Sequence, residues 1–161
     1  MTNDAFTRAR ADAEGRGLRI VDADLERPWG GFLVLDERQV DEFTAAYFPD
    51  QGGPVDPSLP RSPKLLVVAP GKRLSWQYHH RRGERWLVLE GPVGVASGPD
   101  DAQPQPRTLA AGDGVLLAPG ERHRLVGLDG WGVVAEIWEH TDAAHPSDEA
   151  DIVRVQDDYG R

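Results

Sequence analysis

The residues best suited to chemistry lie in the segment GKRLSWQYHHRRGERWLVLEG, at positions 71–91. Because alternate residues of a strand share one face, Gln77 and His79 point the same way and offer an amide oxygen and an imidazole nitrogen to a metal ion. Glu84 follows a short turn, opens the next strand and would complete a triangle of ligands. Oxygen and nitrogen donors without a thiolate suit Zn, Mn, Fe, Co or Ni, so the segment predicts a divalent-metal site.

A second segment, GDGVLLAPGERHRL at positions 112–125, places His123 after a tight Pro-Gly turn. Together the two segments resemble the two cupin motifs. The second motif ends P-x-G-x2-H and is matched at Gly120 and His123, although the proline stands directly before the glycine. The first motif, G-x5-H-x-H-x4-E-x6-G, has glutamine in place of its first histidine and is matched at Gly71, Gln77, His79, Glu84 and Gly91. The resemblance implies that Gln77, His79, Glu84 and His123 are the metal ligands.

Three segments extend the resemblance to the cupin domain of type II mannose-6-phosphate isomerases. They are ERPWG (26–30), APGKRLSWQYHHRRGERWLVLEG (69–91) and ADIVRVQDDYGR (150–161). The resemblance implies a metal-dependent aldose–ketose isomerase that acts through an enediolate on a sugar phosphate, either a hexose similar to mannose 6-phosphate or a heptose. Residues 1–161 contain no nucleotidyltransferase domain, so we expect no guanylyltransferase activity from them.

The chain departs from that family in two places. Residues 36–63 form a longer connection than the family has, with a predicted helix and a proline-rich loop that would serve as a lid or a dimer arm. Arg81 stands where the family carries a third histidine. Both departures keep the ligand set intact and leave the identity of the sugar open.

Several residues are candidates for handling the substrate. Arg73 shares the strand face of Gln77 and His79, which makes it the first candidate to hold a phosphate or a developing oxyanion. Further substrate-binding candidates are Ser75, Arg81, Arg82 and Arg154. The base that moves the proton stays open among Glu136, Lys64 and Glu90.

The remaining histidines and the tryptophans are assigned simpler roles. We expect His80 to face solvent or to support a ligand, and His140 and His145 to lie on the surface in a polar loop. The tryptophans expected to pack in the core or a dimer interface, rather than against a sugar, are Trp76, Trp86, Trp131 and Trp138.

Short apolar runs separated by Gly and Pro turns indicate an all-β sandwich or barrel. The predicted strands are Gly31–Leu35, Lys64–Ala69, Arg73–Tyr78, Arg85–Glu90, Val93–Ala96, Gly114–Leu117, His123–Val126, Val133–Glu139 and Ile152–Val155. Val40, Phe43 and Tyr47 recur at helical spacing and predict a helix over Asp36–Phe48. With the cupin motifs, this predicts one domain over residues 1–161, a cupin double-stranded β-helix (jelly-roll barrel) with short N-terminal and insertion helices and a C-terminal segment at 140–161.

Composition excludes several classes of protein. The 27 acidic and 18 basic residues give a net charge of −9, which disfavours a nucleic-acid partner because phosphates require a basic face. No run approaches the roughly 18 apolar residues of a membrane span, and the N-terminus lacks an apolar signal core. The absence of cysteine excludes disulfides and thiolate ligands. We therefore expect a cytoplasmic protein that binds a small sugar phosphate and forms a homodimer through its edge strands.

Three other functions stay open: a metal-dependent oxygenase, a sugar-nucleotide epimerase and a non-catalytic sugar-binding or regulatory cupin. Gln77 breaks the three-histidine set that is commoner in cupin oxygenases, and the arginines suit an anionic substrate. Epimerisation in cupins uses a His–Asp pair rather than this metal set. A standalone domain without an assigned base is compatible with a non-catalytic role.

Overall fold

The computed structural model describes residues 4–160, which form eleven strands, two α-helices and a 3₁₀ turn at Glu37–Gln39. The helices are α1 (Asp4–Gly15) and α2 (Val40–Tyr47). The strands are β1 (Ile20–Arg27), β2 (Gly30–Leu35), β3 (Arg61–Val68), β4 (Trp76–Tyr78), β5 (Arg82–Glu90), β6 (Val93–Gly98), β7 (Arg107–Leu109), β8 (Gly114–Leu117), β9 (Arg122–Gly127), β10 (Gly132–His140) and β11 (Val153–Gln156). The predicted all-β class is confirmed.

The strands pair in two antiparallel sheets, ordered β1-β2-β3-β10-β5-β8 and β11-β4-β9-β6-β7. Consecutive strands such as β5 and β6 lie in different sheets, so the chain winds back and forth between them. Strand β10 lies between β3 and β5, with Glu136 opposite Lys64 on one side and Trp86 on the other. This arrangement is the cupin double-stranded β-helix, as predicted.

The central strands are buried on both faces, which explains why their apolar runs are nearly continuous. In β3, Leu65 packs with the two helices, whereas Leu66 packs between the sheets. In β10, Ala135 packs with the helices and Val134 packs between the sheets. Because side chains alternate along a strand, Glu136 points between the sheets, into the interior of the barrel.

The predicted insertion helix is present as the 3₁₀ turn followed by α2. Phe43 and Tyr47 of α2 are buried in the same apolar cluster as Phe6 of α1, on the outer face of the six-stranded sheet. The Tyr47 hydroxyl donates to Asp12 Oδ2 at 2.8 Å and joins the two helices. Neither of these helices, in the part of the chain that the structure describes, is long and apolar enough to cross a membrane.

The proline-rich loop after α2, residues 49–60, lies against the six-stranded sheet. Arg85 of β5 donates to the carbonyl oxygens of Gln51 and Gly53 at 3.0 and 2.6 Å. No residue of this loop lines the cavity of the candidate site. Its role as a lid or a dimer arm stays a prediction.

The sequence prediction missed two strands, β1 and β7, and misplaced the start of three others by three residues, among them β3, which begins at Arg61 instead of Lys64. Most of β1 and β7 is exposed, so neither strand carries the alternation that marks a half-buried strand. Strand β4 begins at Trp76 instead of Arg73, and β5 begins at Arg82 instead of Arg85.

Candidate metal centre

Three side chains converge inside the barrel: His79, Glu84 and His123, whose potential ligand atoms all lie within 4.8 Å of one another. Each residue is at most 3% exposed. His79 directly follows β4 and His123 lies on β9, so both come from the five-stranded sheet, whereas Glu84 comes from β5 in the other sheet. The site therefore exists only because the two sheets face each other.

The Pro-Gly turn before His123 is built into the centre. Gly120 has a φ of 80°, in the left-handed region that favours glycine. Its N–H donates to the carbonyl oxygen of His79 at 2.8 Å, which ties the turn to the end of β4. The positive φ gives a physical reason for the glycine of the second motif.

Backbone carbonyls orient both imidazoles. His79 Nδ1 lies 2.8 Å from the carbonyl oxygen of Asp151, and His123 Nδ1 lies 2.9 Å from that of Glu121. In a neutral imidazole such a bond requires the proton on Nδ1 and leaves the lone pair on Nε2. Both Nε2 atoms face Glu84, at 3.3 Å from Oε2 for His79 and 3.4 Å from Oε1 for His123.

These residues fit a divalent metal ion. Ligand atoms about 2.1 Å from one ion lie about 3.0–3.4 Å apart, close to the separations between the imidazoles and Glu84. His123 Nε2 is buried and has no hydrogen-bond partner among residues 4–160, a costly state for a polar atom. An ion would use that lone pair, and the bonds at both Nδ1 atoms match the support that metal-binding histidines usually receive.

The protonation states also favour a cation. Burial lowers the pKa of His79 to about 4, so the ring is neutral at pH 7. Burial opposes ionisation of Glu84, but its charged surroundings, which include Arg82, outweigh it and hold the pKa of that carboxyl well below its ordinary value. Metal ligands must be deprotonated, and both groups meet that condition at neutral pH.

Gln77 lies beside this cluster on β4, directly opposite His123 of β9. Its Oε1 accepts a hydrogen bond from the Ser75 hydroxyl at 2.6 Å, which leaves one lone pair of the amide oxygen for another partner. Its place as the fourth ligand stays a prediction.

A cavity of about 80 Å³ opens beside the cluster. Because pockets that enclose a whole ligand usually measure about 300–1,000 Å³, this one has room for only part of a ligand. The polar residues that line it are Arg27, Lys64, Ser75, Gln77, Arg82, Glu84, Glu136, Glu149 and Arg154.

Glu136 is the second buried carboxylate of this cavity. Its two oxygens accept hydrogen bonds from the indole N–H groups of Trp86 and Trp138, at 2.9 and 3.0 Å. The Trp86 N–H also lies 3.1 Å from Glu84 Oε1, so it bridges the two carboxylates. Burial, and then the charge of Glu84, raise the pKa of Glu136 to about 8. Neighbouring carboxylates with opposite pKa shifts are typical of acid–base sites.

Lys64 lies beside Glu136 and is also buried. Its Nζ lies 3.8 Å from the ring centroid of Trp138 and 3.3 Å from Glu149 Oε1. Of the three base candidates, the structure brings Lys64 and Glu136 into the cavity. Glu90 does not line it and instead forms an ion pair with Arg8.

The structure moves two predicted substrate-binding arginines away from the cavity. Arg73 pairs with Asp158 at 2.7 and 2.9 Å and does not line it. Because β4 begins only at Trp76, the strand alternation used to place Arg73 does not extend to that residue. Arg81 is partly exposed, contacts Asp148 and Asp151, and lies outside the cavity as well.

Two other expectations need correction. His140 is buried, not at the surface: Ser147 N–H donates to its Nδ1 at 2.9 Å, and its Nε2 lies 2.8 Å from Ser62 Oγ. Trp86 and Trp138 are buried, as predicted, but both also line the cavity and hold Glu136 there. His145 is exposed as predicted.

Sequence reasoning missed Arg27, which lies at the start of ERPWG and lines the cavity from β1. Arg154 lines it from β11, opposite Gln77. The Nε atoms of both arginines are buried without a hydrogen bond among the described residues, although Arg27 Nε lies 3.0 Å from Asp24. The ERPWG motif was the available signal, but it did not show which way Arg27 points.

Residues 56–157 match the model of a protein family described as mannose-6-phosphate isomerase C-terminal. The alginate biosynthesis protein AlgA of Pseudomonas aeruginosa is 29% identical over 150 residues, covering 93% of this chain and 25% of AlgA. The xanthan biosynthesis protein XanB of Xanthomonas campestris is 32% identical over 135 residues, covering 84% of this chain and 23% of XanB. A mannose-1-phosphate guanylyltransferase of Escherichia coli is 26% identical over 149 residues, covering 92% of this chain and 25% of that enzyme. The chain thus spans about a quarter of the length of these curated relatives.

Solved structures share the fold. The capsular polysaccharide assembling protein CapF of Staphylococcus aureus superposes with a TM-score of 0.56 at 16% identity, covering 86% of this chain and 34% of CapF. A mutant of Bacillus subtilis oxalate decarboxylase OxdC superposes with a TM-score of 0.57 at 13% identity, covering 83% of this chain and 30% of OxdC. At these identities the likeness concerns the fold alone.

Proposed function

Because the chain belongs to the mannose-6-phosphate isomerase C-terminal family, we propose that it is a metal-dependent isomerase that interconverts an aldose phosphate and a ketose phosphate. The substrate would be a hexose similar to mannose 6-phosphate or a heptose phosphate. The observation that carries this proposal is the pair of buried carboxylates, Glu84 beside two histidines and Glu136 beside Lys64, on one cavity.

The ligands of the ion would be His79, Glu84 and His123, with Gln77 as the fourth. When bound, the ion would supply Lewis-acid polarisation of the sugar carbonyl and its neighbouring hydroxyl. The three-residue cluster favours a divalent ion without selecting its identity.

Glu136 would be the base. As a carboxylate it would take the proton from C2 of the aldose; the C–H electron pair would form the C1–C2 double bond while the π pair of the C1 carbonyl moves onto O1, which gives the enediolate. The same carboxyl would return the proton to C1, and the proton of the 2-hydroxyl would pass to O1 as C2 becomes the carbonyl carbon of the ketose. Its pKa of about 8 lies near neutrality, which is the condition for efficient proton transfer in both directions. The indoles of Trp86 and Trp138 hold both carboxyl oxygens and fix their position.

Lys64 would stabilise the negative charge that develops on the substrate oxygens, because it lines the same cavity as Glu136. Arg154 and Arg27 would hold the phosphate, one from each sheet, and the Ser75 hydroxyl would contact the sugar.

The test measures metal content and isomerase activity of purified wild-type protein, His123→Ala and the control His145→Ala. Each protein is incubated with mannose 6-phosphate and with a panel of hexose and heptose phosphates. We expect about one metal ion per chain in the wild type and in the control, with aldose–ketose interconversion in both, and neither in His123→Ala. A metal-loaded wild type that binds sugar phosphates without converting them would instead establish a non-catalytic sugar-binding cupin.

A further inference from the structure

The guanidinium of Arg82 is already bound inside the candidate metal centre. Its Nε donates to Glu84 Oε2 at 2.8 Å, and its Nη2 lies 3.1 Å from His79 Nε2. Arg82 thus contacts two of the three residues that would bind the ion. The residue is only 6% exposed, so these bonds are shielded from water.

Further contacts fix Arg82 in this position. Its Nη1 donates to the Ser147 hydroxyl at 2.8 Å and lies 3.4 Å from the carbonyl oxygen of Asp148. Its Cζ lies 3.5 Å from the ring centroid of Trp138, a cation–π contact. Because its nitrogen atoms are engaged by the protein, Arg82 is a poor candidate for the substrate-binding role that the sequence suggested.

The bond to His79 uses the lone pair that a metal ion needs. His79 Nδ1 donates to the carbonyl oxygen of Asp151, so Nε2 carries the lone pair of the ring and accepts from Arg82 Nη2. His123 Nε2 has no such partner within residues 4–160. The two imidazoles are therefore unequal: one is open to an ion, and the other is occupied by a guanidinium.

We propose that Arg82 competes with the metal ion for His79, so that its guanidinium must withdraw from Nε2 when the ion binds and thereby lowers the metal affinity of the centre. One lone pair cannot accept the Arg82 N–H and coordinate a cation at the same time. Two positive charges a few Å apart in a buried site also repel each other strongly. This inference rests on the metal site of the proposed function, and it adds a residue that sets the affinity of that site.

A purely supporting role for Arg82 would have the opposite effect on metal binding. If the guanidinium only held Glu84 in place, its removal would weaken binding, as the loss of outer-sphere partners usually does, by about 10–100-fold. If Arg82 competes with the ion, its removal strengthens binding. The sign of the change therefore separates the two roles.

The experiment is a calorimetric titration of metal-stripped wild type, Arg82→Gln and Arg81→Gln with Zn²⁺. We expect Arg82→Gln to bind Zn²⁺ at least about tenfold more tightly than wild type. The substitution removes both the hydrogen bond from the guanidinium to His79 and the repulsion between the guanidinium and the ion. Arg81→Gln is the matched control: it removes the same charge from the neighbouring, partly exposed arginine, and its affinity stays within about twofold of wild type. Equal or weaker binding by Arg82→Gln overturns the inference.

A second measurement uses the wild-type protein, in case Arg82→Gln does not fold. The Arg82 Nε–H signal in a ¹⁵N NMR spectrum should move or broaden when Zn²⁺ saturates the protein. An unchanged signal at saturation overturns the inference but leaves the metal site in place. Tighter binding by Arg82→Gln without isomerase activity in wild type overturns the proposed function and supports the inference. If neither wild type nor Arg82→Gln binds Zn²⁺, the inference and the proposed function are both overturned.

Discussion

Lys64 and Glu136 lie directly opposite each other on the neighbouring antiparallel strands β3 and β10, and both side chains line the candidate cavity. They face the barrel interior because each strand alternates between a face that packs on the helices and a face that packs on the second sheet. A buried lysine thus lies beside a buried carboxylate, next to the three metal-ligand candidates.

Glu136→Gln should abolish most isomerase activity while keeping the metal. Glutamine preserves the shape of the side chain, and its amide oxygen can still accept a hydrogen bond from an indole N–H. It cannot, however, take a proton from the substrate. We expect kcat to fall by about 10²–10⁴-fold, the usual contribution of a general base. The measurement is steady-state kinetics together with metal analysis. The control is Glu90→Gln, at a carboxylate outside the cavity that pairs with Arg8, and an active Glu136→Gln protein would exclude the proposed base.

Lys64→Met should shift the pH dependence of the reaction. Burial and Glu84 raise the pKa of Glu136, and the charge of Lys64 opposes them. Loss of that charge raises the pKa of Glu136 further, so the limb on which kcat/KM increases with pH should move to higher pH. Lys72, the other lysine of the chain, is exposed, and Lys72→Met should leave the profile in place. A Lys64→Met profile that coincides with that of wild type would mean that the lysine charge does not act on the base.

Arg154→Gln and Arg27→Gln should weaken recognition of the phosphate. Each removes a guanidinium that lines the cavity, and charge-assisted bonds to phosphate are among the stronger hydrogen bonds in proteins. We expect KM for the sugar phosphate to rise about tenfold in each variant, corresponding to roughly 1.4 kcal/mol. Arg107→Gln, on the exposed strand β7, is the control. Unchanged KM values in both cavity variants would place the phosphate elsewhere.

Asp36→Asn should lower the stability of the fold in a pH-dependent way. Asp36 accepts three hydrogen bonds from Arg38 and pairs with Arg19, and these contacts lower the pKa of its carboxyl from 3.8 to about 2. A depressed pKa in the folded state stabilises the protein above the unfolded-state pKa, and this stabilisation is lost as the pH falls through the folded-state value.

Urea unfolding of wild type and Asp36→Asn at several pH values tests this prediction. The difference in unfolding free energy should be full at pH 7 and should shrink as the pH falls from about 4 toward 2, the window between the two pKa values. Asp129→Asn, in an exposed turn, should unfold like wild type at each pH. If the difference in unfolding free energy between wild type and Asp36→Asn stays constant with pH, the charge of Asp36 is not what stabilises the fold.

The sequence alone determined the local features of this protein. Strand alternation and Gly and Pro turns are short-range properties, so they predicted most of the strands and the insertion helix. The spacing of the two motifs marked His79, Glu84 and His123, because those residues stand at the ends of strands joined by turns whose geometry glycine specifies, as at Gly120.

The tertiary structure decided which polar residues meet. Arg73 and Arg81 stand near the ligands in the sequence but lie outside the cavity, whereas Arg27 and Glu136 are distant in the sequence and line it. His140 follows a polar-looking pattern but is buried between Ser62 and Ser147. Arg82 is held by Glu84, His79 and Ser147 at once. Each of these placements depends on which strands of the two sheets face each other, and that long-range pairing leaves no periodic signal in the chain.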